Sequence, residues 1–198
     1  MTFYTVAIMQ DETLRNYRVL DLPAILSASP ATSATIAVLA SQVKNDPVEL
    51  LGEAPVFFVL PLYARLRWSS QEIIFRPKPE THAVVVMSMA SEGIRPNDVI
   101  NLSDWWSETE LASFEKAWKN SEEEAEVRLD VWWDEALSGG HEAPIRVFLR
   151  RLYAAPPPSV AARLVGDAPL LPSLLAAEWF LSSKTPRVEY QSLVLKSL

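Results

Sequence analysis

The sequence predicts an α+β fold in which a small, mainly antiparallel sheet packs against helices. Of the 198 residues, 49% are hydrophobic, which supplies enough apolar material for a folded core at this length. Runs of β-branched and aromatic residues concentrate in the first half of the chain, whereas helix start signals concentrate in the second half. These observations favour segregated strands and helices over a regular alternation of the two.

Strands are predicted near 2–9, 55–68, 71–76 and 81–90, with a further candidate at 187–195. The first is rich in β-branched and aromatic residues, which favour strands. The three middle runs are separated by short polar connections, which is typical of an antiparallel meander. The last run alternates apolar and polar residues, as expected of a half-buried strand.

Helices are predicted from 30–52, including a short helix at 48–51, and from 104–181. Ser107 with Glu110, and Ser121 with Glu124, fit the Ser-x-x-Glu capping box, in which the two side chains satisfy each other's backbone N–H groups. The acidic segment is therefore expected to hold two helices, at about 108–119 and 122–137. Further helices are expected at 144–153, between 159 and 166, and from Pro172 onward.

We expect one domain spanning residues 1–198. The Pro-rich segment 154–159 is the most linker-like part of the chain, so a sub-boundary, if the chain has one, would fall there. No internal repeat is evident from the sequence.

Composition excludes several classes of function. The chain has no cysteine, so it has no thiol nucleophile, no Cys-ligated metal and no disulfide. Its first residues lack the basic segment of a signal peptide, and the apolar run at 54–64 is too short to cross a bilayer. We therefore expect a soluble, cytoplasmic protein with no membrane partner.

The charge is concentrated in one part of the chain. The net charge is −7, and residues 100–142 contain 12 acidic and 3 basic residues. Such a balance opposes direct nucleic-acid binding and favours a protein partner with a basic surface. In the alternative, Arg146, Arg150 and Arg151 pair with acids of the preceding helix, and the polarity is internal.

Two pairs of adjacent tryptophans lie in or beside the same segment, at Trp105–Trp106 and Trp132–Trp133. Consecutive helical residues point about 100° apart, so the two members of a pair cannot both face the core centre. One member of each pair is expected at the surface, where an indole suits a partner contact. Alternatively, the second indole covers the edge of its own core.

The leading hypothesis is a non-enzymatic protein–protein interaction module, an acidic adaptor or inhibitor. No P-loop, Gly-x-Gly-x-x-Gly or His-Glu-x-x-His motif is present, so we assign no catalytic residue, metal or cofactor. The expected contact residues are Trp105, Trp106, Trp132, Trp133, Glu122, Glu123, Glu126 and Asp130.

Two alternatives remain. The carboxylates of residues 122–134 lie at i, i+4 spacing, so Asp130 and Asp134, together with His141, could form a divalent-metal or acid/base site of an enzyme. The apolar segment after Pro172 would instead suit a structural subunit of a larger assembly or a homo-oligomer.

Overall fold

A computed structural model describes residues 6–9, 17–77, 83–88, 99–100, 107, 109–110, 112–113, 116, 122–140, 142–183, 185–191 and 193–195. Helices occur together with two separate β-sheets, which confirms the α+β class. The chain forms two compact units, residues 1–106 and 107–198, which are described one at a time below. That the whole chain folds as one domain stays a prediction.

The first unit contains a six-stranded mixed sheet. Its elements are β1 (Val6–Met9), β2 (Arg18–Asp21), α1 (Leu22–Ala28), α2 (Ser33–Gln42), β3 (Val48–Leu51), α3 (Val56–Leu66), β4 (Glu72–Arg76), β5 (Ala83–Ser88) and β6 (Val99–Ile100). The strand order is β2-β3-β4-β5-β1-β6. The pairs β2–β3 and β3–β4 are parallel, and the other three pairs are antiparallel.

The second unit contains a four-stranded mixed sheet. Its elements are β7 (Glu124–Arg128), α4 (Leu129–Ser138), α5 (Pro144–Ala154), β8 (Ala161–Val165), α6 (Leu170–Ser182), β9 (Arg187–Tyr190) and β10 (Leu193–Leu195). Residues 109, 110, 112, 113 and 116 are helical as well. The strand order is β10-β9-β8-β7, with β7–β8 and β8–β9 parallel and β9–β10 antiparallel.

The two units repeat one arrangement of elements. From β2 to β5, and again from β7 to β10, the order is strand, two helices, strand, helix, two strands, and the strand pairing is the same. The turn after the middle strand also has nearly the same sequence, LLGEAP at 50–55 and LVGDAP at 164–169. Gly52 and Gly166 both adopt positive φ, at 83° and 86°. The chain therefore contains an internal repeat, and the expectation of none is wrong.

Helices cover one face of the parallel strands in each unit. Parallel strands need crossover connections, and consecutive right-handed crossovers lie on the same side of a sheet. In agreement, α2 packs against α3, while α4 and α5 both pack against α6. The core rows lie beneath these helices and are buried, namely Leu20, Leu50 and Phe75 in the first unit and Val127, Leu164 and Tyr190 in the second.

Several predicted elements are confirmed. The strands at 6–9, 72–76, 83–88, 187–190 and 193–195 lie where the sequence predicts strands, whereas residues 2–5 lie outside the described part. The Ser107–Glu110 capping box forms: the Ser107 N–H donates to the Glu110 carboxylate at 2.8 Å, and the Glu110 N–H donates to Ser107 Oγ at 3.3 Å. Pro144 is the first residue of α5, as its position predicts.

Four predicted elements are wrong. Residues 56–66 form α3 rather than a strand, because Phe58, Leu62 and Leu66 recur at i, i+4 spacing and are buried together. Residues 48–51 and 161–165 form β3 and β8 rather than short helices, since each is paired on both sides. Residues 124–128 form β7, so only the second part of the helix predicted at 122–137 exists as a helix.

Strand direction in the sheets and the place of the Pro-rich segment were also predicted. The sheets are partly parallel rather than mainly antiparallel, because the crossover helices connect neighbouring strands. The Pro-rich segment 154–159 connects α5 to β8 inside the second unit. None of the helices in the described part of the chain has the length and apolarity that a membrane span requires.

The repeated turn makes a prediction about Gly166. A Cβ at this position would lie 2.2 Å from Asp130 Oδ1 and 2.9 Å from its Cβ, and the φ of +86° strains any other L-residue. Gly166→Ala should therefore lower the free energy of unfolding by roughly 1–3 kcal/mol more than Gly140→Ala. Gly140 is the matched control because it has φ +79° but no atom within 4 Å of its added Cβ. Equal losses in urea denaturation would contradict the close approach of Asp130.

Candidate functional site

The two described tryptophans of the predicted site are both half-buried on α4. The ring centroids of Trp132 and Trp133 lie 6.4 Å and 6.0 Å from that of Phe148, which is fully buried on α5. The guanidinium of Arg151 lies over the Trp132 ring, 4.8 Å from its centroid. Both indoles therefore join the α4–α5 contact while keeping one side exposed. Trp105 and Trp106 lie outside the described residues.

Of the four acidic residues of the predicted site, three lie in or just before strand β7, and only Asp130 lies on a helix. Glu122 and Glu123 immediately precede β7, and Glu126 lies within it. The predicted i, i+4 strip from Glu122 to Asp134 is therefore wrong, because residues 124–128 are extended; only Asp130 and Asp134 share α4. Glu122, Glu123 and Glu126 are exposed, as a binding role requires.

Strand β7 is at the edge of its sheet. Its one neighbour among the described strands is β8. The carbonyls of Glu122 and Glu123 accept hydrogen bonds from the N–H groups of Ser159 and Val160, at 2.9 Å and 2.8 Å, which prolongs the contact with the β8 segment. An edge strand presents backbone N–H and C=O groups that a further strand can pair with.

Ion pairs neutralise some acidic residues of the second unit but do not reach all of those that the structure describes. On the sheet face away from the helices, Arg163 lies 3.5 Å from both Glu124 and Glu189. Hydrogen bonds from Arg128 lower the pKa of the Asp130 carboxyl. Within the described residues, no ion pair reaches three acids at the β7 edge: Glu122, Glu123 and Glu126.

The basic residues of α5 are paired inside the second unit. Arg146 and Arg150 contact Glu142 at 2.9 Å and 3.0 Å, and Arg151 contacts Glu135 on α4. The predicted pairing with the preceding helix therefore holds for Arg151 alone, because Glu142 lies between α4 and α5 rather than in α4. It does not extend to the acids at the β7 edge, which lie on a different element.

The described residues of the alternative metal or acid/base site do not form a cluster that could bind a metal ion. Asp130 is hydrogen-bonded to Arg128, Asp134 is exposed on α4, and His141 lies outside the described residues. Across the described part of the chain, no cluster of three or more His, Asp or Glu side chains could hold a metal ion.

The first unit contains a buried polar cluster that the sequence did not predict. Tyr17 donates a hydrogen bond of 2.5 Å to Glu72, and Arg76 donates one of 2.6 Å to Glu49, which is 1% exposed. Burial and the hydrogen bond to Glu72 raise the pKa of Tyr17 far above its usual value. The available signal was a glutamate inside each of two apolar strands, because a buried carboxylate requires a partner.

The first unit also has an open groove between α1 and α2, with a volume of about 720 Å³. Its floor includes Leu20 of β2, and its walls carry Ile25 of α1 and Val38 of α2.

Comparisons of the chain with protein-family models, curated proteins and solved structures found no match.

The cation–π contact on α4 makes a testable prediction. In a double-mutant cycle of Arg151→Ala with Trp132→Leu, urea denaturation should give a coupling energy of about 0.5–1 kcal/mol. The control cycle combines Arg151→Ala with Trp133→Leu. Trp133 packs on the same Phe148, but Arg151 lies over the Trp132 ring instead. The control should show coupling near zero, and equal coupling in both cycles would rule out a specific ring contact.

The Tyr17–Glu72 hydrogen bond predicts a dependence of stability on alkaline pH. Because the folded state raises the pKa of Tyr17, it retains a proton that the unfolded chain releases above about pH 10. The unfolding free energy should therefore fall as pH rises above about 10, by up to about 1.4 kcal/mol per pH unit for this one group. Tyr17→Phe should flatten the fall, and an unchanged slope for that variant would assign it to other groups.

Proposed function

We propose that this chain is a non-enzymatic protein–protein interaction module that binds a basic partner through the edge of the second sheet. The binding surface, called here the acidic edge, consists of Glu122, Glu123 and Glu126 on and beside β7. The observation that carries the proposal is that these exposed glutamates have no ion pair to the described residues and flank an edge strand.

Electrostatics favours a partner that differs from the chain itself. Lysine or arginine side chains on a partner would compensate the acidic edge and accelerate encounter. Two copies of the acidic edge would repel each other, which disfavours self-pairing along β7. A heterologous basic strand or loop therefore fits this surface better than a second copy does.

The tryptophans would lie next to this contact in the chain. Helix α4 begins directly after β7, and Trp132 and Trp133 keep one side exposed there, with Asp130 in the first turn. Half-exposed indoles add apolar contact area at low entropic cost. The module would act as an adaptor, or as an inhibitor where the basic surface that it covers is functional. We propose a cytoplasmic location, which the cysteine-free composition permits.

A strand-forming basic peptide tests the proposal. In ¹H–¹⁵N NMR titrations, Ac-KVKVKV-NH₂ should bind the full chain and shift amides of residues 122–128, because it can pair with β7 and place lysines beside the glutamates. The triple variant Glu122→Gln, Glu123→Gln, Glu126→Gln should bind about tenfold more weakly, since three exposed charge contacts are lost. Wild-type affinity should also fall with added salt.

The control must separate local from overall charge. Ala31→Lys, Ser33→Lys and Gln71→Lys change the net charge by the same three units at exposed positions of the first unit. This variant should bind as the wild type does. The proposal fails if both variants weaken binding equally, or if Ac-EVEVEV-NH₂ binds as tightly as the basic peptide.

A further inference from the structure

We propose that the groove between α1 and α2 binds an aromatic side chain from an extended, basic segment of a partner protein. This groove, the α1–α2 groove, belongs to the first unit and is distinct from the acidic edge of the second. Its volume of about 720 Å³ falls within the usual range of binding sites, roughly 300–1,000 Å³.

Exposed apolar side chains form part of the groove walls. Ala28 of α1 and Ala34 of α2 line it and are exposed, and Val38 is 54% exposed. The beginning of α2 is fixed by its Thr32 cap, whose Oγ1 accepts the Thr35 N–H at 3.3 Å. A large apolar group entering the groove would cover this exposed apolar surface, at a gain of about 25 cal/mol per Å².

The internal repeat indicates what fits the groove. Leu20 pairs with Leu50 of the first LxGxAP turn, and Val127 pairs with Leu164 of the second. Leu20 and Val127 therefore occupy equivalent positions in the two repeats. Counting five residues onward from each, Ile25 of the first repeat corresponds to Trp132 of the second. In the second unit α4 packs along α5, and the Trp132 ring contacts both Phe148 and the Arg151 guanidinium. In the first unit an open groove lies between α1 and α2, so the region where the equivalent helices meet through an indole in the second unit is open in the first.

The charge at the groove favours a basic segment. Asp21 is the one charged residue among the described residues that line it. Its carboxylate accepts the N–H of Ala24 at 3.1 Å and caps α1. The equivalent position in the second unit is Arg128, so the sign of the charge is reversed between the units. A lysine or arginine next to the aromatic residue would complement Asp21.

The edge of the first sheet favours an extended segment. Among the described strands β2 has β3 as its one neighbour, and Val19, Leu20 and Asp21 of β2 all border the groove. A peptide that added to β2 as a further strand would direct alternate side chains to the helix-covered face of the sheet. One such side chain would then enter the groove.

Three matched peptides test the proposal. The host is the full chain with Glu122, Glu123 and Glu126 changed to Gln, so that the acidic edge does not compete for basic probes. In NMR titrations Ac-KVWVK-NH₂ should shift amides of residues 18–42. It should bind at least about tenfold more tightly than Ac-KVAVK-NH₂, which lacks the ring, or Ac-EVWVE-NH₂, which reverses the charge.

Three variants of the host locate the binding. Ala28→Trp places an indole in the groove from an exposed position and should weaken Ac-KVWVK-NH₂ binding at least about tenfold. Phe57→Trp, at a position 55% exposed and outside the groove lining, should leave it unchanged. Asp21→Asn retains a good helix cap and should remove the preference for lysine over glutamate flanks.

Several results would overturn the proposal. Equal affinities for the three peptides would exclude recognition of the ring and of the charge. An unchanged affinity for Ala28→Trp, or shifts confined to residues outside 18–42, would exclude the groove. Tryptamine binding as tightly as Ac-KVWVK-NH₂ would identify a small-molecule site in place of a peptide-docking groove.

Discussion

The fold of each unit depends on one constraint, the return of the chain across the sheet from one parallel strand to the next. After the middle strand, Gly52 and Gly166 take positive φ and redirect the chain, and Pro55 and Pro169 stand at the N-caps of α3 and α6. In the second unit, the helix that follows, α6, is buried along most of its surface, as expected of a helix that is apolar all round. The turn and the helix after it together form the crossover that parallel pairing of β3 with β4, and of β8 with β9, requires.

The sequence predicted the elements whose signals are local. The Ser107–Glu110 capping box, Pro144 at the start of α5 and strand character at 187–195 depend on residues a few positions apart. The structure divides the run predicted as one strand at 187–195 into β9 and β10, which pair antiparallel. The signals that failed belong to the parallel strands and their crossovers. Three of the four residues of β3 are buried, including the charged Glu49, so its VELL sequence lacks the alternation of a half-exposed strand. The β-branched and aromatic residues at 56–59 favour a strand locally, but burial of one helical face decides for α3.

Part of the candidate site was predictable because its signals are also local. Exposed acids between 122 and 126 and half-buried indoles at 132 and 133 follow from composition and spacing. Their arrangement on an edge strand followed by a helix depended on β7 pairing with β8, 37 residues away at Glu124 and Ala161. The Tyr17–Glu72 bond joins residues 55 positions apart, and no local pattern indicates such a pair.

The two units use the same arrangement of elements but differ in how their two consecutive helices pack. The second has a closed α4–α5 contact beside an acidic edge, and the first has an open groove beside Asp21. Both proposed contacts require edge strands that can pair with a further strand, and amide hydrogen exchange along β2 and β7 measures this property. If the edges are open, exchange is fast at alternate amides of β2 and β7 and slow throughout β3 and β8. Slow exchange at every amide of β2 and β7 would show that these edges are already covered, and would exclude strand addition at both.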